Sequence, residues 1–151
     1  MTPEYDDLLS EIAGLCAGET DPVANAANIA AAIWQHLPDI NWAGFYFLHN
    51  GALLLGPFQG KPAIVRISLG QGVCGTAAAN RQTMVVDDVH AFPGHIACDP
   101  NSNAEIVVPL IRHGVVLGVL DIDSPCVGRF TEADREGCEA IARAYVASLA
   151  G

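Results

Sequence analysis

Trp42-Ala43-Gly44-Phe45-Tyr46-Phe47-Leu48, then Asn50-Gly51, then Leu53-Leu54-Leu55, reads as a β-hairpin. Aromatic and branched side chains suit an extended, half-buried ribbon, and Asn-Gly readily takes the left-handed backbone of a tight turn. The spacing predicts a second hairpin downstream, with residues 106–111 and 115–122 as its arms around His113-Gly114. Shorter extended segments are expected at 63–68 and 84–86. Before the first hairpin, Tyr5, Leu8, Leu9, Ile12, Leu15 and Cys16 recur at three- and four-residue intervals and predict a helix over 4–17. Asp21-Pro22 is an N-cap followed by a first-turn proline, opening a second helix that Pro38 stops. After the second hairpin, Thr131-Glu132-Ala133-Asp134 resembles a capping box, and Cys138, Ile141, Ala142, Tyr145 and Leu149 form the stripe of a last helix. The expected fold is α+β, a mainly antiparallel sheet with the N- and C-terminal helices on one face.

The chain has 151 residues, of which 51% are hydrophobic and 16% charged, so a single domain, 1–151, with a sizeable core is expected and intrinsic disorder is excluded. Seven basic against 17 acidic residues give a net charge of −10, which repels nucleic acid and anionic lipid surfaces. No apolar run reaches membrane-spanning length and the start lacks a cationic signal region, so a cytoplasmic protein is expected. Five widely spaced cysteines without a C-x-x-C pair suggest neither a disulfide framework nor a zinc ribbon.

Cys16 and Cys138 fall on apolar helical stripes, where a free cysteine acts as a small hydrophobe, and Cys126 sits in a turn. Cys74, bracketed by Gly70, Gly72 and Gly75, and Cys98, in the aperiodic stretch 87–103, are held off regular structure. A helix beginning just after Cys74 would offer its N-terminal dipole to a thiolate, and His90 or His95 could serve as a base. His90, His95, Cys98 and Asp99 could also ligate a metal, but their spacing matches no closed zinc pattern, and no metal site or cofactor is expected.

Asp121 and Asp123 stand two apart at the end of a hydrophobic strand, so they share a sheet face. A three-residue loop Arg112-His113-Gly114 would set Glu105 opposite Asp121, whereas a two-residue loop at His113-Gly114 would send Glu105 to the other face. Grouped acids raise one another's pKa, which suits a proton donor, yet a solvated strand end is the plain alternative. Trp42 and Tyr46, four apart on a strand, also share a face, as aromatic walls for a sulfur-containing ligand or as ordinary core.

The strings N-W-A-G-F-Y (41–46), L-L-G-P-F-Q-G-K (54–61), G-V-C-G-T-A (72–77), D-D-V-H-A-F-P-G-H-I-A-C-D (87–99), S-N-A-E-I-V-V-P-L (102–110), G-V-L-D-I-D-S (118–124) and G-R-F-T (128–131) resemble the free methionine-(R)-sulfoxide reductases, small stand-alone GAF-domain enzymes. The resemblance implies a GAF-like fold and a thiol-dependent reduction of the free amino acid of R configuration at sulfur. It implies Cys98 as catalytic cysteine and Trp42, Tyr46, Glu105, Asp121 and Asp123 as substrate pocket. Attack of the Cys98 thiolate on sulfur, with Glu105 or Asp123 protonating the departing oxygen, would leave a sulfenic acid that a second thiol converts to a disulfide for thioredoxin. Many members carry a further cysteine after G-P-F-Q-G-K, where this chain has Ile64, so Cys74 is the candidate partner of Cys98. A homodimer through the helical face is compatible with the resemblance. The competing readings are a non-catalytic GAF sensory module, disfavoured because no output domain or linker helix is visible, and a metal-dependent hydrolase using His90, His95 and the acids.

Overall fold

The computed structural model describes residues 1–94 and 100–151. Helices α1 (Pro3–Cys16) and α2 (Pro22–His36) precede strands β1 (Trp42–His49), β2 (Ala52–Gly60) and β3 (Arg66–Ser68). Helix α3 (Gly72–Asn80), strand β4 (Met84–Val86), a 3-10 turn at Val89–Ala91, strands β5 (Ala104–Arg112) and β6 (Val115–Ser124), and helix α4 (Glu132–Ser148) complete the described elements. The six strands form one sheet in the order β3-β2-β1-β6-β5-β4, every pair antiparallel.

Local chemistry accounts for the element ends. The Asp21 carboxylate accepts the Ala24 N–H at 2.8 Å at the start of α2, and Thr131 and Asp134 cap one another's backbone in the expected box at the start of α4. At Asn50-Gly51 both residues have positive φ, 51° and 80°, as a two-residue hairpin loop with the strands' own twist requires.

Alternation along the strands divides the sheet into two unlike faces. Ala43, Phe45, Ile106, Val108, Leu110, Leu120 and Ile122 pack under α1, α2 and α4, where Leu8, Ile29, Ile33 and Ile141 are fully buried. Each of the larger side chains among them stabilises the fold by about 1.5–3 kcal/mol, which makes this face the main core. Tyr5, Asp134 and Arg129 tie α1 to α4 inside it: the tyrosine hydroxyl donates to Asp134 Oδ1 at 2.7 Å, and Arg129 Nη1 donates to Oδ2 at 3.1 Å. Trp42, Tyr46, Val107 and Val119 occupy the opposite face and are covered by α3 and by residues 61–65.

Three expectations change. The arm β2 runs on to Gly60, past Pro57, because the pairing with β1 slips between Gly44 and Tyr46 and leaves the proline unpaired at the irregularity before resuming at Phe58. Only Arg66–Ser68 of the expected strand 63–68 is extended in the sheet; the preceding residues cross the second face as a strap. Helix α3 begins at Gly72 rather than after Cys74, so Cys74 lies inside its first turn.

The second hairpin settles the register in an unforeseen way. Its loop is the two-residue His113-Gly114, with φ of 49° and 77°, pairing Arg112 with Val115 and Ile111 with Val116. That register alone would turn Glu105 away from Asp121. Between Leu110 and Ile111 the pairing slips by one, Leu110 now facing Gly118, and the bulge returns Glu105 to the face of the two aspartates. Glu105 therefore lies opposite Asp123, not Asp121, which faces Val107.

Candidate active site

On the α3 side of the sheet, Trp42, Asp123 and Glu105 form one cross-strand row over β1, β6 and β5, and Gly44, Asp121 and Val107 form the next. The missing side chain at Gly44 matters: a Cβ there would stand 2.3 Å from Phe58 Cβ and 2.8 Å from the Trp42 ring. The indole thus lies where the second row would otherwise carry a side chain, stacked against Phe58 at 5.2 Å and Tyr46 at 5.9 Å between ring centres.

The same two aromatic residues hold the strap. Trp42 Nε1 donates to the Lys61 carbonyl at 3.0 Å, and the Tyr46 hydroxyl donates to the Ile64 carbonyl at 2.9 Å. Beneath the strap is a cavity of about 50 Å³ lined by Trp42, Tyr46, Cys74, Glu105, Asp121 and Asp123. All five candidate pocket residues meet here, together with Cys74, the candidate partner thiol. Sequence reasoning missed Lys61, Gln71 and Ser102, which also line it. Lys61 carried a signal, as one of only seven cations in an acidic chain; Ser102, donating to and accepting from the Asn41 side chain, carried none.

Electrostatics inside the cavity are severe. Cys74, Glu105 and Asp121 are 5%, 6% and 5% exposed. Burial, then Asp123 and Glu105, push the Asp121 carboxyl well above the usual carboxylate range, which favours its protonated form. The Cys74 thiol donates to Glu105 Oε2 at 3.8 Å. Burial first, then Asp121, Glu105 and Asp123, drive its pKa well up. The expectation that the α3 terminus would favour a Cys74 thiolate is thus overturned: a half-charge of helix dipole is outweighed by desolvation and three carboxyl groups.

His90 is exposed, its Nε2 at 3.0 Å from Asn103 Oδ1, and it does not line the cavity. Cys98, His95 and Asp99 lie outside the described residues. Cys138 is buried and Cys16 half-buried, both against the main core, while Cys126 is exposed.

Asp121 makes a measurable claim on stability. Its folded pKa exceeds the unfolded value of about 3.9, so its contribution is complete below that pH and is lost as pH rises toward the folded value. Asparagine mimics the protonated acid without that loss. Asp121→Asn is expected to stabilise the fold by about 1 kcal/mol at neutral pH, roughly 2–4 °C in Tm, and by nothing below about pH 4. Thermal melts across that range check it, and an unchanged or lower Tm at pH 7 would refute it.

A GAF domain family model matches residues 10–149. The free methionine-R-sulfoxide reductase of Escherichia coli is 54% identical over 136 residues, covering 90% of this chain and 82% of the relative. This chain belongs to the free methionine-R-sulfoxide reductase family. Two solved members of that GAF-domain oxidoreductase family superpose closely. The Staphylococcus aureus protein in complex with substrate is 49% identical, with a TM-score of 0.93 and coverage of 97% of this chain and 95% of that one. The Neisseria meningitidis free methionine-R-sulfoxide reductase in complex with its substrate is 43% identical, with a TM-score of 0.92 and coverage of 95% and 87%. The GAF fold expected from the sequence is the fold observed. Among the described residues, no helix is long and apolar enough to cross a membrane.

Proposed function

We propose that the chain, acting as a single GAF unit, reduces free L-methionine-(R)-sulfoxide to L-methionine. The observation that carries this is the row of buried carboxyl groups facing stacked aromatic rings in one small cavity, within a chain of this family. The Trp42 and Tyr46 rings receive the methyl thioether end, since a polarizable sulfur and its methyl pack well on aromatic surface. The Cys98 thiolate attacks the sulfoxide sulfur and the sulfur–oxygen bond breaks toward a proton. Glu105 or Asp123 delivers that proton, and Asp121, whose protonated form burial and then its acidic neighbours favour, replenishes it. The protonated oxygen transfers to the Cys98 sulfur as the bond between Cys98 and the substrate sulfur breaks, so methionine leaves as the thioether and Cys98 becomes a sulfenic acid.

Cys74 closes the cycle. Its sulfur attacks the Cys98 sulfur as the sulfenic S–O bond breaks; the Cys74 proton passes to Glu105, already its hydrogen-bond acceptor, and from there to the departing oxygen, which leaves as water. That local base is needed because burial keeps so little of Cys74 as thiolate. With Ile64 where many members have another cysteine, Cys74 is the resolving thiol of this chain, and thioredoxin reduces the resulting disulfide. We place the protein in the cytoplasm, where such a reductant is found, with dimerisation through the helical face as the compatible assembly.

The preference for the free amino acid follows from polar matching. Ammonium and carboxylate groups that the site would pair are missing from methionine within a peptide, and unpaired buried partners cost a large factor in rate. The reduced protein, given one equivalent of sulfoxide, is expected to release close to one equivalent of methionine from the free R epimer and none from the S epimer or a methionine-sulfoxide peptide. Equal release from both epimers would refute the stereochemical reading; no release with tight binding would make the chain a sensory module.

A further inference from the structure

Three donor atoms at the deep end of the cavity, Cys74 Sγ and one oxygen each of Glu105 and Asp121, all lie within 4.8 Å of one another. Tetrahedral zinc takes sulfur at about 2.3 Å and carboxylate oxygen at about 2.0 Å, which sets sulfur and oxygen donors about 3.5 Å apart and two oxygens about 3.3 Å apart. Cys74 Sγ and Glu105 Oε2, at 3.8 Å, stand a few tenths of an ångström outside that spacing, and a trio already within 4.8 Å closes onto one ion by side-chain movement of about an ångström. A second observation is independent of the clustering. Asp121 Oδ1 is buried without a hydrogen-bond partner among the described residues, on a side chain 5% exposed that lines the cavity. Orphaned buried oxygens are rare because each costs about 1–3 kcal/mol, and a bound ion is one of the few things that satisfies them.

We propose that this trio is a binding site for a single thiophilic divalent cation, zinc in the first instance, exclusive with the sulfoxide substrate. A thiolate beside two carboxylates selects zinc or cadmium over magnesium or calcium, which prefer oxygen alone. The cavity, about 50 Å³, has room for the ion and a water in the fourth position. Binding expels the thiol proton and whatever proton the two carboxyl groups share, so uptake of the ion is accompanied by proton release and strengthens as pH rises. An ion held here takes both the resolving thiol and the acids out of use. The exclusivity rests on the reductase reading of the same cavity; the binding itself does not.

Cadmium is the probe, because its bond to a thiolate adds an ultraviolet absorption band. Equilibrium dialysis of the reduced full-length chain without substrate is expected to give one cadmium per chain, with that band. Asp121→Asn is expected to weaken binding at least tenfold, Cys74→Ser to lose the band, and Cys98→Ser to keep it. Absence of the band in the unaltered chain, or its persistence in Cys74→Ser, overturns the proposal. Excess free methionine-(R)-sulfoxide is expected to displace the ion, and a band that survives saturation overturns the exclusivity. Failure of the reductase reading would show separately, as no methionine release from metal-free protein.

Discussion

Cys98→Ser is expected to lower methionine formation by about a thousandfold or more, the scale on which removing a lone nucleophile acts when no other group can take its place. None of the described cysteines can substitute. Cys16 and Cys138 lie against the helical core on the far side of the sheet, Cys126 is on the surface, and Cys74 is held as a thiol by burial and its acidic neighbours. Because the carboxyl row and the aromatic rings remain, the variant should still bind free sulfoxide with near-normal affinity, which calorimetry reads. Cys74→Ser should behave differently, releasing a first equivalent of methionine and then stalling with thioredoxin. Undiminished turnover in Cys98→Ser would end the mechanism proposed above.

Gly118→Ala is the second large effect. An added Cβ would stand 2.1 Å from the Tyr46 carbonyl oxygen and 2.9 Å from Phe47 Cα, both backbone atoms in the centre of the sheet. Neither can move aside as a flexible side chain would. The expected loss is about 3 kcal/mol or more, the upper range for overpacking a rigid site. Gly118 also stands where the pairing with β5 slips, and that bulge sets Glu105 beside the aspartates, so any folded variant should lose turnover out of proportion to stability. Gly114→Ala is the control. It meets no atom within 4 Å, has only its positive φ to strain it, and should cost about 1 kcal/mol with activity kept. Denaturant melts and methionine release on both variants decide the matter, and equal effects would dissociate the bulge from the site.

Much of this was legible before any coordinates. The helical stripes, the Asn50-Gly51 loop, the place of the second hairpin, the capping box and β4 follow from periodicity and turn chemistry, which are local. Trp42 with Tyr46, and Asp121 with Asp123, were grouped correctly because a period of two needs no tertiary information. The position of Glu105 was not decidable, since each loop length gave a different face and neither included the bulge. Gly118 lies in an apolar run and only its approach to Tyr46 reveals why it is glycine. The character of Cys74 was misjudged for a related reason: its sequence neighbours are glycines and a helix start, while the groups that govern it arrive from β5 and β6. Lys61 and Ser102 were overlooked because contact across a cavity leaves no periodic trace.

The central seam of the sheet joins β1 to β6, Trp42 to Asp123, across most of the chain's length. Neither hairpin alone contains both an aromatic wall and an acid, so a nascent or partly melted chain has nothing with which to grip a sulfoxide. Closing so distant a pair is among the slower steps open to a domain of this size. Recovery of catalysis after dilution from denaturant should therefore trail the return of helical signal, making turnover itself a late clock of folding.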